Sequence, residues 1–118
     1  MQTIVEIKPL KPGKVEAYRD FAAAITGPKK KEYADMLKRY GLKTANVYFH
    51  KIRDVDFVIV VHLAEDDAME RLQHFATSTH SMEQWCLEQL NELHDSTPLN
   101  GAPYAPQAVF AFNVAENL

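Results

Sequence analysis

The chain has 118 residues, 47% of them apolar and 25% charged, which suits one globular domain over 1–118 and leaves no room for a second core. With 13 Lys and Arg against 16 Asp and Glu, the net charge is −3, so the concentrated basic surface that nucleic acid requires is missing and no nucleic-acid partner is expected.

The chain opens on MQTIVEIK, which has neither the basic start nor the apolar stretch of a signal peptide, and a cytoplasmic location is expected. Residues 2–8 are β-branched and read as a first strand, closed by Pro9 and by Pro12-Gly13. From Gly13 the pattern turns helical, with Val15, Tyr18, Ala22 and Ile25 on one face. Gly27-Pro28 interrupts that helix. A second amphipathic segment follows, with Tyr33, Met36, Leu37 and Tyr40 on one side and Lys29, Lys30, Lys31, Lys38 and Arg39 mostly on the other. Gly41 reads as its C-cap.

Two strands come next, 43–52 and 56–63, joined at Arg53-Asp54-Val55 as an antiparallel hairpin. The longest apolar run, FVIVV at 57–61, is too short to span a bilayer, and no membrane partner is expected. Glu65-Asp66-Asp67 opens a helix whose apolar positions are Ala68, Met69, Leu72, Phe75 and Ala76. Ser81 with Gln84 has the spacing of a capping box, and a last helix over 81–94 buries Met82, Trp85, Cys86, Leu90 and Leu93. Cys86, the single cysteine, excludes an intrachain disulfide and a multi-cysteine zinc site, and on that apolar face reads as an inert core thiol. A polar loop over 95–106 fits a lid or an arm over a partner subunit, with Tyr104 as its anchor. Residues 108–113 (AVFAFN) read as the last strand.

The order is β-α-β-β-α-β with each helical crossover split in two, an α+β, ferredoxin-like arrangement with a four-stranded antiparallel sheet. A sheet with helices on one face and water on the other should alternate apolar and polar residues. Here Phe57, Ile59 and Val61 share one face and Val58 and Val60 the other, while Phe110 and Phe112 oppose Val109 and Ala111. Both faces are apolar and the helices cover one. A second copy of the same sheet is the expected cover, giving a homodimer packed sheet to sheet.

That two-faced pattern resembles the dimeric α/β-barrel superfamily of ferredoxin-like proteins. KPGKVEAYRDF at 11–21 and KKKEYADMLKRYGLKT at 29–44 resemble a bacterial family of small domains that begins with a Lys-Pro-Gly-Lys segment and has no assigned activity. Glu16-Ala17-Tyr18, Leu37 with Gly41, Val47-Tyr48 and the aromatic C-terminal strand are similar, more weakly, to L-rhamnose mutarotases. In that likeness the mutarotase histidine falls on Ala22 and its tryptophan near Thr26; an alanine cannot transfer a proton, so that route to sugar mutarotation lacks its residue.

The resemblance implies a small-molecule ligand inside the barrel. By strand parity Glu6 lies with Ile4 and Lys8, Asn46 with Tyr48 and His50, and His62 with Val58 and Val60. If these sets share the face away from the helices, Glu6, Asn46, Tyr48, His50 and His62 converge as ligand-binding residues, with Glu6 near an imidazole as a proton-transfer pair. The same histidines, close to strand ends, also fit solvated rim positions. No two histidines have the i, i+4 spacing of a metal pair on one helix, so neither a metal nor a cofactor is expected. Trp85, Tyr18 and Met36 read as packing, and the lysines at 29–31 as a solvated turn. Three functions fit: a homodimeric small-molecule-binding protein; a cofactor-independent monooxygenase, isomerase or lyase; or a structural or regulatory domain without a cavity.

Overall fold

The β-branched N-terminal stretch forms β1 (Gln2–Pro9) and pairs antiparallel along its whole length with β3 (Val55–Ala64), from Gln2↔Ala64 to Pro9↔Phe57. On the other side of β3 lies β2 (Asn46–Ile52), giving the order β1-β3-β2 in an antiparallel sheet. The computed structural model describes residues 1–95 and 106–117. Most of the expected loop over 95–106, with Tyr104, lies outside the described residues. Between β1 and β2 run α1 (Val15–Thr26) and α2 (Lys30–Arg39); after β3 come α3 (Ala68–Leu72), a 3-10 turn (Phe75–Thr77) and α4 (Ser81–Leu93).

Residues 108–113, expected as the fourth strand, make no ladder, and the sheet of described residues has three strands. Val109, Phe110, Phe112 and Val114 stand exposed there. The outer edge of β1, where a ferredoxin-like sheet takes its fourth strand, carries no partner strand among the described residues.

The β2–β3 turn is tighter than its sequence suggests. Ile52 pairs with Val55, so two residues, Arg53 and Asp54, make the connection, and Arg53 takes a left-handed φ of 53° that sequence usually signals with Gly or Asn. A three-residue link would set Ile52 against Asp56. The one-residue difference moves the whole of β2 to the opposite face relative to β3.

The core lies between one sheet face and the helices. Ile4, Val58 and Ala64 of the sheet meet Tyr18, Phe21 and Ile25 of α1, Met36 of α2, and Met82, Cys86 and Leu93 of α4. Trp85 stacks on Phe21 at 5.6 Å, and the Lys29 ammonium sits 4.6 Å over the indole ring, so the first of the three lysines packs rather than only solvating a turn. Gly41 holds φ 70°, and a Cβ there would lie 3.0 Å from side-chain atoms of both Arg71 and Glu65, so this corner between α2 and β2 favours glycine.

The start of α4 also departs from expectation. Its N-cap is His80, without a side-chain cap, and Ser81 is not the capping residue. Ser78 takes that part: its hydroxyl accepts from His80 N–H (3.1 Å), and its carbonyl accepts from Gln84 Nε2 (3.4 Å). Ser78 also donates to Glu83, a fully buried carboxylate that receives Arg39 of α2 and the Tyr40 hydroxyl as well. This cluster ties α2, the 3-10 turn and α4 into one roof over the sheet.

Candidate functional site

Under that roof lies a cavity of about 430 Å³ between the sheet and the helices, within the range of pockets that enclose a small organic molecule. Its walls are mainly apolar, with Phe21, Ile25, Met36, Leu42, Leu72 and Phe75 among them. Its polar groups fall at two levels set by the strand register. Near the end of β1 are Glu6, Lys8, Tyr18, Tyr33, His94 and Asp95. His62 lies farther along, opposite Ile4, about 7 Å from the level where Val60 faces Glu6.

The register decides the fate of the five expected residues. Glu6 and His62 face the helices and line the cavity. Asn46, Tyr48 and His50 pair with Val61, Ile59 and Phe57 and therefore lie on the opposite, outer face. The five do not converge. Parity within each strand holds, but the two-residue turn puts the β2 trio on the other side of the sheet from Val58, Val60 and His62. Their companions on the outer face are Val5, Ile7 and the β3 residues Phe57, Ile59, Val61 and Leu63, an apolar surface over which no helix or strand packs among the described residues.

The expected Glu6–imidazole pair is also replaced. Glu6 forms an ion pair with Lys8. The tautomer of His62 is fixed by the backbone instead: its Nδ1 lies 2.9 Å from the Thr44 carbonyl oxygen, which can only accept, so Nδ1 carries the proton. His94, at the end of α4, has the same arrangement with the Pro9 carbonyl at 3.0 Å. In each neutral ring the lone pair is left on Nε2. Burial pushes the His94 pKa below the ordinary imidazole value and the Lys8 charge adds to this, against the opposing pull of the Pro9 carbonyl and of Glu6. His94 is thus a neutral base at neutral pH.

Two phenols complete this end. The Tyr18 ring meets the His94 ring edge-on at 5.9 Å. Burial, then the neighbouring Tyr33 and Glu6, drives the Tyr18 pKa well above that of an ordinary phenol. Tyr33 is pushed up to about 12 by burial, with Cys86 and Glu6 adding. Both stay protonated, so each hydroxyl is available to donate. The Cys86 thiol, raised to about 11 by burial and by Glu83, stays protonated too and is no nucleophile. Sequence reasoning missed Tyr18 and Tyr33 because their helical spacing reads as packing, and His94 because its partner, the Pro9 carbonyl, is remote in sequence. The available signal was chemical: a phenol on a buried helix face needs a polar partner or a ligand.

No protein-family profile matches the sequence, and no curated protein matches it. Solved structures do resemble it. An L-rhamnose mutarotase from Formosa agariphila superposes with a TM-score of 0.61 at 12% identity, covering 96% of this chain and all (100%) of that one. A tetracenomycin F2 cyclase from Streptomyces glaucescens, a type-II polyketide cyclase, gives 0.50 at 17% identity, covering 98% of this chain and 89% of that one. These likenesses fit the α+β, ferredoxin-like arrangement of the sheet and helices. At such identities the likeness is one of fold alone. Among the described residues no helix is long and apolar enough to cross a membrane.

Proposed function

We propose that the protein is an acid–base enzyme acting on a small, mainly apolar molecule held between its sheet and its helices. The observation that supports this best is the pair His94 and Tyr18. A buried imidazole, held by Pro9 with its lone pair on Nε2, stands beside a phenol held protonated. Such a base and such an acid, facing one cavity, can take a proton from one atom of a ligand while steadying charge on another. A passive carrier would need the apolar walls but not the fixed tautomer. His62 offers a second fixed imidazole at the far level, and with Glu6 it is the part of the expected ligand-binding set retained in this reading.

The same reading takes the working unit as a homodimer. Two copies pack their outer faces together, burying Ile59, Val61 and Phe57 with Asn46, Tyr48 and His50 at the edge. Residues 108–113 then find the apolar surface they lack in one chain and complete a four-stranded sheet.

Nitrogen-15 NMR of the histidine rings tests the catalytic claim. His94 is expected as the Nδ1–H tautomer, titrating below an ordinary imidazole. A ring that exchanges between tautomers and titrates like a free histidine would remove the base and leave a binding protein.

A further inference from the structure

Resting on that reading of the cavity, we infer that the substrate is an uncharged, mainly apolar ketone with a removable proton beside its carbonyl, the proton passing to His94 Nε2 while the Tyr18 and Tyr33 hydroxyls hold the carbonyl oxygen.

Charge is the first argument. Two carboxylates, Glu6 and Asp95, line the cavity against one ammonium, Lys8, and that ammonium is already paired with Glu6. An organic anion entering here finds the one lining ammonium already paired and a largely apolar surround, an arrangement that disfavours it. A hydroxyl-rich ligand fits less well, because the larger part of the wall is hydrocarbon and the polar groups gather mainly at one end. An apolar body carrying one neutral oxygen fits both constraints.

The second argument is the disposition of donors. Among the described residues neither the Tyr18 nor the Tyr33 hydroxyl has a hydrogen-bond partner, and no buried side-chain polar atom is left unsatisfied, so both hydroxyls open onto accessible space. They are close enough to each other, and to Glu6, to interact electrostatically. Two phenols lining one largely apolar chamber suit an oxygen that gains negative charge during reaction. Burial keeps both phenols from ionising, with Glu6 adding to it, and the Glu6 carboxylate opposes a negatively charged ligand.

The step balances without a further reactant. The C–H bond next to the carbonyl breaks, its proton goes to His94 Nε2, and its electron pair moves into a C=C bond as the carbonyl oxygen becomes an enolate oxygen. The two phenols hydrogen-bond that oxygen. The imidazolium then returns the proton to the same carbon, or to a conjugated one, and nothing is oxidised or reduced.

The probes are β-tetralone, an apolar ketone with acidic protons, and β-naphthol, which imitates its enol. In heavy water the protein is expected to speed deuterium uptake by β-tetralone over the buffer rate, with β-naphthol as a competitive inhibitor. His94→Asn, whose amide can replace the Nδ1–H donor to Pro9, is expected to lower the exchange about a hundredfold. Tyr18→Phe with Tyr33→Phe should lower it about a hundredfold or more. Tyr18→Phe alone keeps the ring contacts to Phe21 and His94, and its loss of rate decides the matter if the His94 variant unfolds. β-Naphthol binding without exchange, or exchange indifferent to these substitutions, overturns the ketone inference and leaves the cavity reading standing. Failure of both probes to bind overturns the two together.

Discussion

Glu83→Gln tests whether the roof of the cavity is held as described. Glu83 is fully buried and accepts four hydrogen bonds: Arg39 Nε (3.2 Å), the Tyr40 hydroxyl (3.2 Å) and Ser78 Oγ (2.9 Å) at Oε2, and Arg39 Nη2 at Oε1. Burial pushes its pKa up, but the hydrogen bonds from Arg39 and Ser78, the Arg39 charge and the Tyr40 hydroxyl outweigh this and hold it below the ordinary carboxylate value. Glutamine keeps the shape and one carbonyl oxygen. With that oxygen at the Oε2 position its amide faces Arg39 Nη2, donor against donor. One charged hydrogen bond is lost, about 1.5–3 kcal/mol, and the remaining three lose their charge assistance. Breaking a buried ion pair outright costs about 3–5 kcal/mol. The loss here belongs near the lower end, because the Arg39 side chain is 32% exposed and can be rehydrated. The expectation is about 2–4 kcal/mol. Urea unfolding followed by circular dichroism, at fixed protein concentration, should show the midpoint falling by about 1–2 M. Arg39→Gln should cost less than a kcal/mol on top of Glu83→Gln, as partners in one network are not additive. A loss below about 1 kcal/mol for Glu83→Gln, or full additivity with Arg39→Gln, refutes this account of the roof.

Two further outcomes are expected. Ile59, between Ile7 and Tyr48 at the middle of the outer face, should tolerate Asp in the fold but not in the dimer. Light scattering should give twice the chain mass for the wild type and a single chain mass for Ile59→Asp, and a wild type with a single chain mass contradicts the paired sheets. His94 should also make stability fall with acid. Its folded pKa is lowered from 6.5, so the neutral ring's contribution is complete above 6.5 and is lost as the pH drops from there through the lower folded value. His94→Asn should flatten that part of the stability profile, and a slope unchanged by the substitution assigns the effect elsewhere.

Much of the fold was legible because it depends on local pattern. The β-branched run at 2–8, the 3.6-residue spacing of Val15, Tyr18, Ala22 and Ile25, and Gly41 with its left-handed φ mark elements that form for reasons written beside them in sequence. The site was legible only in part, because it depends on how elements meet. Glu6 and His62 line the cavity, yet the Arg53-Asp54 turn, without a glycine or asparagine to reveal it, fixes the register and sends Asn46, Tyr48 and His50 to the other face. His94 gains its role from the Pro9 carbonyl, 85 residues away along the chain. Residues 108–113 have the alternating apolar pattern of a strand, yet Phe110 and Phe112 stand exposed and make no ladder, because pattern alone does not supply a pairing edge.

The central claim is that this protein works on the helix side of its sheet, through His94, Tyr18 and Tyr33. Chemical-shift mapping with β-naphthol tests it most directly, because the two faces carry different reporters. The account requires the largest changes at Glu6, Tyr18, Tyr33, Cys86 and His94. Changes confined to Asn46, Tyr48 and His50, or spread evenly over the surface, would contradict it.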